Sequence, residues 1–467
     1  MTEYDLVIIG GGAGAFAAAI RANELQATTA LINTGLPLGG TCVNVGCVPS
    51  KTMLWAGEVL HLATHHGIPG IDAAVTRVDF QRVILDELAL VAQLRDEKYE
   101  RVLRNLRNMT FVEGRATFVS PRAVVVKDKE LRAKRFVIAA GSTAMIPPIE
   151  GLRDTGYLTH VEALRLPKPP KELLIIGAGP LGLEFAQLYA RFGSKVTVLQ
   201  RGRTILPYAE PALTSRLAEI LTNEGIAIKT DVTLHRAWVE EGKKRLSYSA
   251  GGGEETVAGD EILVAAGKTP NTAALGLDRA AVRIDGRQAI AVDPFFRTTQ
   301  PHIYAVGDVT NLPRRLETTA GREGTLAAGN ALNGAQHSID YDTVPYAVFT
   351  DPQLASVGWT EGEEMRRLGA CLCRTVSFEH IPKARILRRT EGLIKMGIHP
   401  QTRQIVGVHI LAPQAGELIA QAMMLVKHKT MIDEVAESLP MFPTLAEAIK
   451  LVALSFTKDI STLSCCI

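Results

Sequence analysis

The chain opens on an unbroken apolar run, Leu6-Val-Ile-Ile9, that gives way to Gly10-Gly-Gly-Ala-Gly-Ala15 and a small-residue helix, Phe16 to Asn23. Continuous apolarity without alternation predicts a strand buried on both faces, as in a parallel sheet. The same succession returns later. Leu173 to Ile176 predicts a second buried strand, followed by Gly177-Ala-Gly-Pro-Leu-Gly182, a helix from Leu183 to Phe192 and a strand from Lys195 to Leu199. Further apolar runs ending in glycine, Phe136 to Gly141 and Ile262 to Gly267, close each unit.

Beyond these units the periodicity changes. Ile303 to Asp308 reads as a strand and turn that return to the first unit. From Tyr341 onward alternating strands, Leu393 to Ile398 and Ile405 to Ile410, mix with helices at Ala415 to Lys427 and Leu445 to Leu454. Proline clusters at Pro147-Pro148 and Pro167 to Pro170 mark links between the parts. A mixed-charge amphipathic stretch from about Val78 to Arg107 reads as a helix packing one face, its basic residues needing no ligand.

Composition narrows the class. At 467 residues the chain exceeds one comfortable core, so several domains are expected. A net charge of +2 gives no reason to expect nucleic acid or an anionic membrane as partner. No stretch resembles a membrane span, and Met1-Thr-Glu-Tyr-Asp5 reads as leading straight into the first strand, so no signal peptide is expected. Six cysteines are too few for a disulfide scaffold, and a vicinal Cys465-Cys466 suits a reducing compartment, so the cytoplasm is the expected location.

A glycine turn between a buried strand and a helix leaves unpaired N–H groups facing an incoming pyrophosphate. One such turn is weak evidence, and a tight strand–helix turn without a ligand is its plain alternative. Two of them, each in strand–helix context, predict two dinucleotides in one chain. Near the first lies Gly39-Gly-Thr-Cys42-Val-Asn-Val-Gly-Cys47-Val-Pro-Ser-Lys51. Cys42 and Cys47 would be separated by about 7.5 Å of rise on a continuous helix, so a bond between them requires Cys42 on an irregular entry. Placement at a helix N-terminus is expected to lower a cysteine pKa to roughly 3.5–7.5. A zinc half-site is the other use for such a pair, but no further Cys or His stands at structural-zinc spacing.

This segment resembles the redox-active stretch of the flavoprotein disulfide reductase family, as do Gly177 to Gly182, Pro270-Asn271 and Ala305-Val-Gly-Asp308. The resemblance spans essentially the whole chain. It implies an α/β protein: two Rossmann-like dinucleotide-binding domains plus a C-terminal α+β dimerisation domain, arranged as in glutathione reductase. The expected divisions are 1–150 and 271–340 for FAD, 151–270 for NAD(P)H, and 341–467 for dimerisation. It implies Cys47 as the thiolate beside the flavin, Cys42 as the interchange thiol, and Lys51 near the flavin with Glu184 as its ion-pair partner. FAD would be held by Gly10, Gly12, Ala13, Gly14, Ala15, Asn33, Gly40, Thr41, Lys51, Ala140, Gly141 and Asp308. NADPH would be held by Gly177, Gly179, Gly182, Gln200, Arg201, Arg203 and Gly267. Asn33 stands where the family places a ribose-binding carboxylate, and Lys268 where it places an arginine. The strand before Gln200-Arg201-Gly202-Arg203 lacks a terminal acid, which favours NADPH over NADH.

Disulfide-reducing members carry a His-Pro segment whose histidine protonates the leaving thiolate. Here Phe442-Pro443 stands in that place, leaving Glu447 without an imidazole partner. Phenylalanine moves no proton. The terminal Cys465-Cys466 resembles the tail of the Hg(II)-reducing members, in a homodimer where the tail of one subunit reaches Cys42 and Cys47 of the other. Hg(II) is soft and exchanges between thiolate pairs, so Cys42, Cys47, Cys465 and Cys466 are the expected metal-handling set. The tyrosine common in those members is absent, with Thr444 nearby. Two other readings stand beside it. One is an NADPH-dependent disulfide or polysulfide reductase with the tail as relay; the other is a flavoprotein that sequesters soft metal without turnover. Cys371 and Cys373 read as incidental, or as accessory thiols on one face of a strand.

Overall fold

The computed structural model describes residues 3–464. Strand Glu3–Ile9 lies in a seven-stranded sheet between Thr29–Asn33 and Lys129–Ile138, parallel to both, and Met109–Glu113 extends the sheet beyond Thr29–Asn33. Leu6 to Ile9 are buried, as an apolar run without alternation requires. Ile303–Ala305 pairs with the other side of Lys129–Ile138, so a segment distant in sequence completes this sheet. Helix Ala13–Glu24 packs its alanines against helix Glu317–Asn333 over the sheet.

The second sheet is parallel throughout: Ala227–Lys229, Lys195–Leu199, Glu172–Ile176 and Glu261–Val264, in that order. A three-stranded antiparallel sheet, Thr233–Glu240, Lys243–Ala250 and Gly253–Gly259, covers it and encloses Leu246 and Tyr248. Two short strands, Ser142–Ala144 and Lys268–Pro270, pair where the chain crosses between the two units.

The last part is a five-stranded antiparallel sheet ordered Tyr346–Val348, Gln353–Gly358, Ile405–Ala412, Leu393–Ile398, Leu372–Ser377. Helices Ala415–Lys427 and Glu447–Leu454 share one core with it through Ile410, Ile419, Ile394 and Ile449. Cys371 and Cys373, read from sequence as incidental or accessory thiols, are instead bonded to each other. Two positions apart at the start of an edge strand, their Cα atoms lie 5.8 Å apart, within disulfide reach.

The amphipathic stretch forms helix Phe80–Arg95, a single π turn Asp96–Glu100 and helix Arg101–Asn105. Phe80, Ile84, Glu87 and Val91 are its buried positions, at three- and four-residue spacing.

Candidate active site at the Cys42–Cys47 pair

The cysteine segment is two helices, Gly40–Val45 and Cys47–His65, broken at Gly46. Cys42 and Cys47 therefore do not share one continuous helix: Cys42 sits in a short helix of its own ahead of the one that Cys47 begins. A Cβ on Gly46 would crowd the Thr41 carbonyl at 2.9 Å, so glycine lets the two helices fold together. Both thiols are free, and with the carboxylate of Glu317 they form a cluster whose reactive atoms all lie within 4.8 Å.

Glu317 opens helix Glu317–Asn333 and accepts from Tyr99 Oη at 3.1 Å, while its other oxygen lies 3.9 Å from Cys47 Sγ. Burial raises its pKa. Neither residue stood out in the sequence: Tyr99 belongs to the π turn, and Glu317 lies far from any cysteine along the chain.

Cys47 heads its helix, yet its thiol is not lowered as expected. Burial pushes it up, Lys51 pulls it down, and Glu184 and Asp308 push it up again. The thiol is open on one side, but protein crowds the others and strips water from the charged form. Lys51 Nζ meets Glu184 Oε2 at 2.7 Å and lies 4.7 Å from the centre of the Phe349 ring. Glu184 Oε1 accepts the Phe349 backbone N–H at 2.9 Å.

The surroundings fit a flavin dinucleotide. Helix Ala13–Glu24 begins at Gly12 with no side-chain cap and no acid in its first turn, so its N–H groups stay available to an anion. Gly40 approaches so closely that a Cβ there would lie 2.6 Å from Gly12 Cα, which packs the cysteine segment, with Thr41, against the turn leading into Ala13, Gly14 and Ala15. Asn33 ends its strand beside Gly11 and donates to the Leu36 carbonyl at 3.0 Å. Asp308 accepts from Ser142 Oγ at 2.7 Å, and Asn271 bonds the carbonyls of Ala140 and Gly141. Lys268 keeps its charge less firmly than an arginine would, because burial lowers its pKa against the pull of Asp308.

The second turn is built alike. Gly177 adopts φ +108°, and helix Pro180–Arg191 begins at Gly179 with open space above it. Gly182 lies directly against the Gly177 carbonyl, and Gly267 adopts φ +131°. Gln200, one of the residues expected to hold NADPH, uses its amide on the turn itself: its Oε1 accepts the Ala178 N–H at 3.0 Å and its Nε2 donates to the Thr204 carbonyl. It braces the glycine turn. Arg201 and Arg203 are exposed and join no ion pair among the described residues.

Glu447 has no imidazole partner among the described residues, in keeping with Phe442 standing where the histidine would be. It begins helix Glu447–Leu454 and accepts the Thr444 N–H at 2.6 Å, which holds the turn leading into the helix. Thr444 Oγ1 donates to the Met441 carbonyl. Leu439, Met441 and Phe442 stand out from the surface, at 93%, 76% and 47% exposure, too apolar a group for a solvated loop. Cys465 and Cys466 lie outside the described residues.

Two nucleotide-binding sheets, each followed by an uncapped glycine turn, with a thiol pair packed against the first turn, define a flavin- and nicotinamide-dependent thiol oxidoreductase. The chain belongs to the pyridine nucleotide-disulphide oxidoreductase family, whose model matches residues 4–325 and whose dimerisation-domain model matches residues 344–453. It therefore binds FAD and NAD(P)H, and the dimerisation domain supports a homodimer. The chain is 39% identical over 472 residues to a mercuric reductase of Streptomyces lividans, covering 100% of this chain and 98% of that protein. It is 37% identical over 464 residues to a mercuric reductase of Lysinibacillus sphaericus, covering 99% and 84%. Among solved structures, the HOCl-induced flavoprotein disulfide reductase RclA from Escherichia coli superposes with a TM-score of 0.86 at 27% identity, covering 97% of this chain and 100% of that one. No helix among the described residues is long and apolar enough to cross a membrane.

Proposed function

We propose that this chain is an FAD-dependent NADPH oxidoreductase whose inner thiols, Cys42 and Cys47, receive Hg(II) from Cys465 and Cys466 of the partner subunit. The overall reaction is NADPH + Hg(II) → NADP⁺ + H⁺ + Hg(0). Bound flavin supplies the two-electron chemistry that side chains lack. The observation carrying the substrate is Phe442, which offers no proton at the place where disulfide reduction needs one. Ligand exchange between soft thiolates needs none. The names of the relatives cited above point the same way.

A second reading has its own support. The general chemistry of the family is thiol–disulfide exchange, and that fits an NADPH-dependent disulfide or polysulfide reductase with the tail as relay more directly than it fits Hg(II). Glu317 strengthens it, because a carboxyl 3.9 Å from Cys47 Sγ is an acid within reach of the thiol in a chain whose Phe442 supplies no proton. One assay decides. NADPH oxidation by the purified flavoprotein is compared with Hg(II) in excess thiol and with low-molecular-weight disulfides. Hg-dependent turnover is expected; brisk disulfide turnover without it overturns the main reading. If Hg(II) binds but drives no oxidation, the protein only sequesters metal.

A further inference from the structure

A second sulfur pair stands at the edge of the five-stranded sheet, away from Cys42 and Cys47. Cys371 and Cys373 are joined, and Cys373 lies opposite Gly397 in the register of the two outer strands. Glu364, on helix Glu361–Leu368, is 1% exposed and lays its carboxylate directly over that glycine. Any side chain at 397 would collide with it. Glu364 Oε2 lies 3.5 Å from Cys373 Sγ, and the reactive atoms of Glu364, Cys371 and Cys373 all fall within 4.8 Å of one another. Both cysteines keep part of their surface open.

A carboxylate buried for packing alone should carry a cation. Glu364 has none in contact among the described residues. Lys395, the nearby ammonium, is held by Glu210 and Glu361. His409, on the neighbouring strand, is kept neutral by burial and bonds the Trp359 carbonyl. Burial first, then the charge of Glu210, pushes Glu364 up to about 8; Lys395 opposes, Glu361 adds, and the Leu372 N–H lowers it slightly. The group is a protonated acid at neutral pH, aimed at a disulfide sulfur.

We propose that Cys371, Cys373 and Glu364 form a second thiol–disulfide exchange site, which takes small dithiols and uses Glu364 as proton donor to the departing sulfur. A dithiol thiolate attacks Cys371 Sγ; that S–S bond forms as the Cys371–Cys373 bond breaks. The electron pair leaves on Cys373 Sγ, which takes the Glu364 proton. The second thiol then displaces Cys371, closing a cyclic disulfide and passing its proton to the Cys371 sulfur. Glu364 is reprotonated by the proton that the first thiol released to water. Two electrons and two protons pass from dithiol to protein. The site is independent of what reacts at Cys42 and Cys47.

The test uses the full-length flavoprotein, oxidised, then reduced with dithiothreitol and trapped by alkylation, with each cysteine peptide read by mass spectrometry. Cys371 and Cys373 should resist labelling until reductant is added. The wild-type rate per unit of dithiothreitol thiolate should fall as pH rises through about 8. Below that pH Glu364→Gln should react more slowly, on the order of a hundredfold, with no such fall. NADPH oxidation by this variant should match wild type, which verifies its fold. Free labelling without reductant overturns the proposal, as does a Glu364→Gln rate equal to wild type. The wild-type pH profile needs no variant, and a flat one also overturns it.

Discussion

Lys51 and Glu184 meet at 2.7 Å, joining the helix that carries Cys47 to the helix that follows the second glycine turn. Glu184 is 7% exposed at its side chain and also accepts the Phe349 N–H, so one carboxylate ties together all three parts of the chain. Glu184→Ala should strand both partners and destabilise by about 2 kcal/mol, less than a fully buried pair because Lys51 keeps a third of its surface. Glu184→Gln keeps an oxygen for Phe349 and should cost less. Urea unfolding of both variants, with Lys51→Met completing a double-mutant cycle, reads the coupling. A coupling energy near zero would refute the tie.

His160 sets an acid limit on stability. It is 6% exposed, and burial, helped by Lys268 and opposed by Glu162, lowers its pKa to about 4. An unfolded histidine titrates near about 6.5. Between these values the unfolded chain binds more protons, so stability is full above the upper value and falls as pH drops toward the lower. The slope from this residue is at most about 1.4 kcal/mol per pH unit. His160→Gln should flatten the decline of Tm over that range. The flattening is partial, because His61 is lowered to about 4 as well, chiefly by burial and by Arg191. An unchanged slope in the variant would exclude His160 as the cause.

The glycine turns were legible because their geometry tolerates nothing else: at Gly182 and Gly40 a Cβ would strike backbone. The apolar runs were legible because strands buried on both faces cannot alternate. Other features are set by contacts between distant segments, which local spacing does not encode. Glu317 reaches Cys47 across 270 positions. Gln200 stands among the residues expected to hold NADPH, and the bond from its amide to the neighbouring turn is a contact that spacing does not encode. Spacing of two allowed the Cys371–Cys373 bond without requiring it. The sheet Thr233–Gly259 went unread, because its strands are half polar and carry no chemical motif.

Arg201 and Arg203 leave two cations exposed beyond the strand Lys195–Leu199, with no acid on the strand end. If they meet a 2′-phosphate, Arg201→Ala with Arg203→Ala should raise KM for NADPH about tenfold, or about 1.4 kcal/mol. KM for NADH should barely move, since that cofactor has no phosphate to lose. Steady-state kinetics with both cofactors checks this. Equal losses for the two would mean that the arginines support the loop and do not read the phosphate.

The tail and the inner pair make separable demands on the reaction. Cys42→Ala or Cys47→Ala removes a sulfur from the cluster around Glu317 and should abolish turnover, while flavin absorbance shows FAD still bound. Cys465→Ala with Cys466→Ala leaves that cluster whole. Its effect should therefore depend on competition: small with weakly complexed Hg(II), and growing as excess thiol rises, because the mutant has lost the pair that strips the ion from solution thiols. Under the relay reading the tail carries the electrons to substrate, so its loss should abolish disulfide turnover at every thiol concentration. NADPH oxidation measured across a thiol titration separates the two. A tail double mutant equal to wild type throughout would eliminate the hand-off in either form.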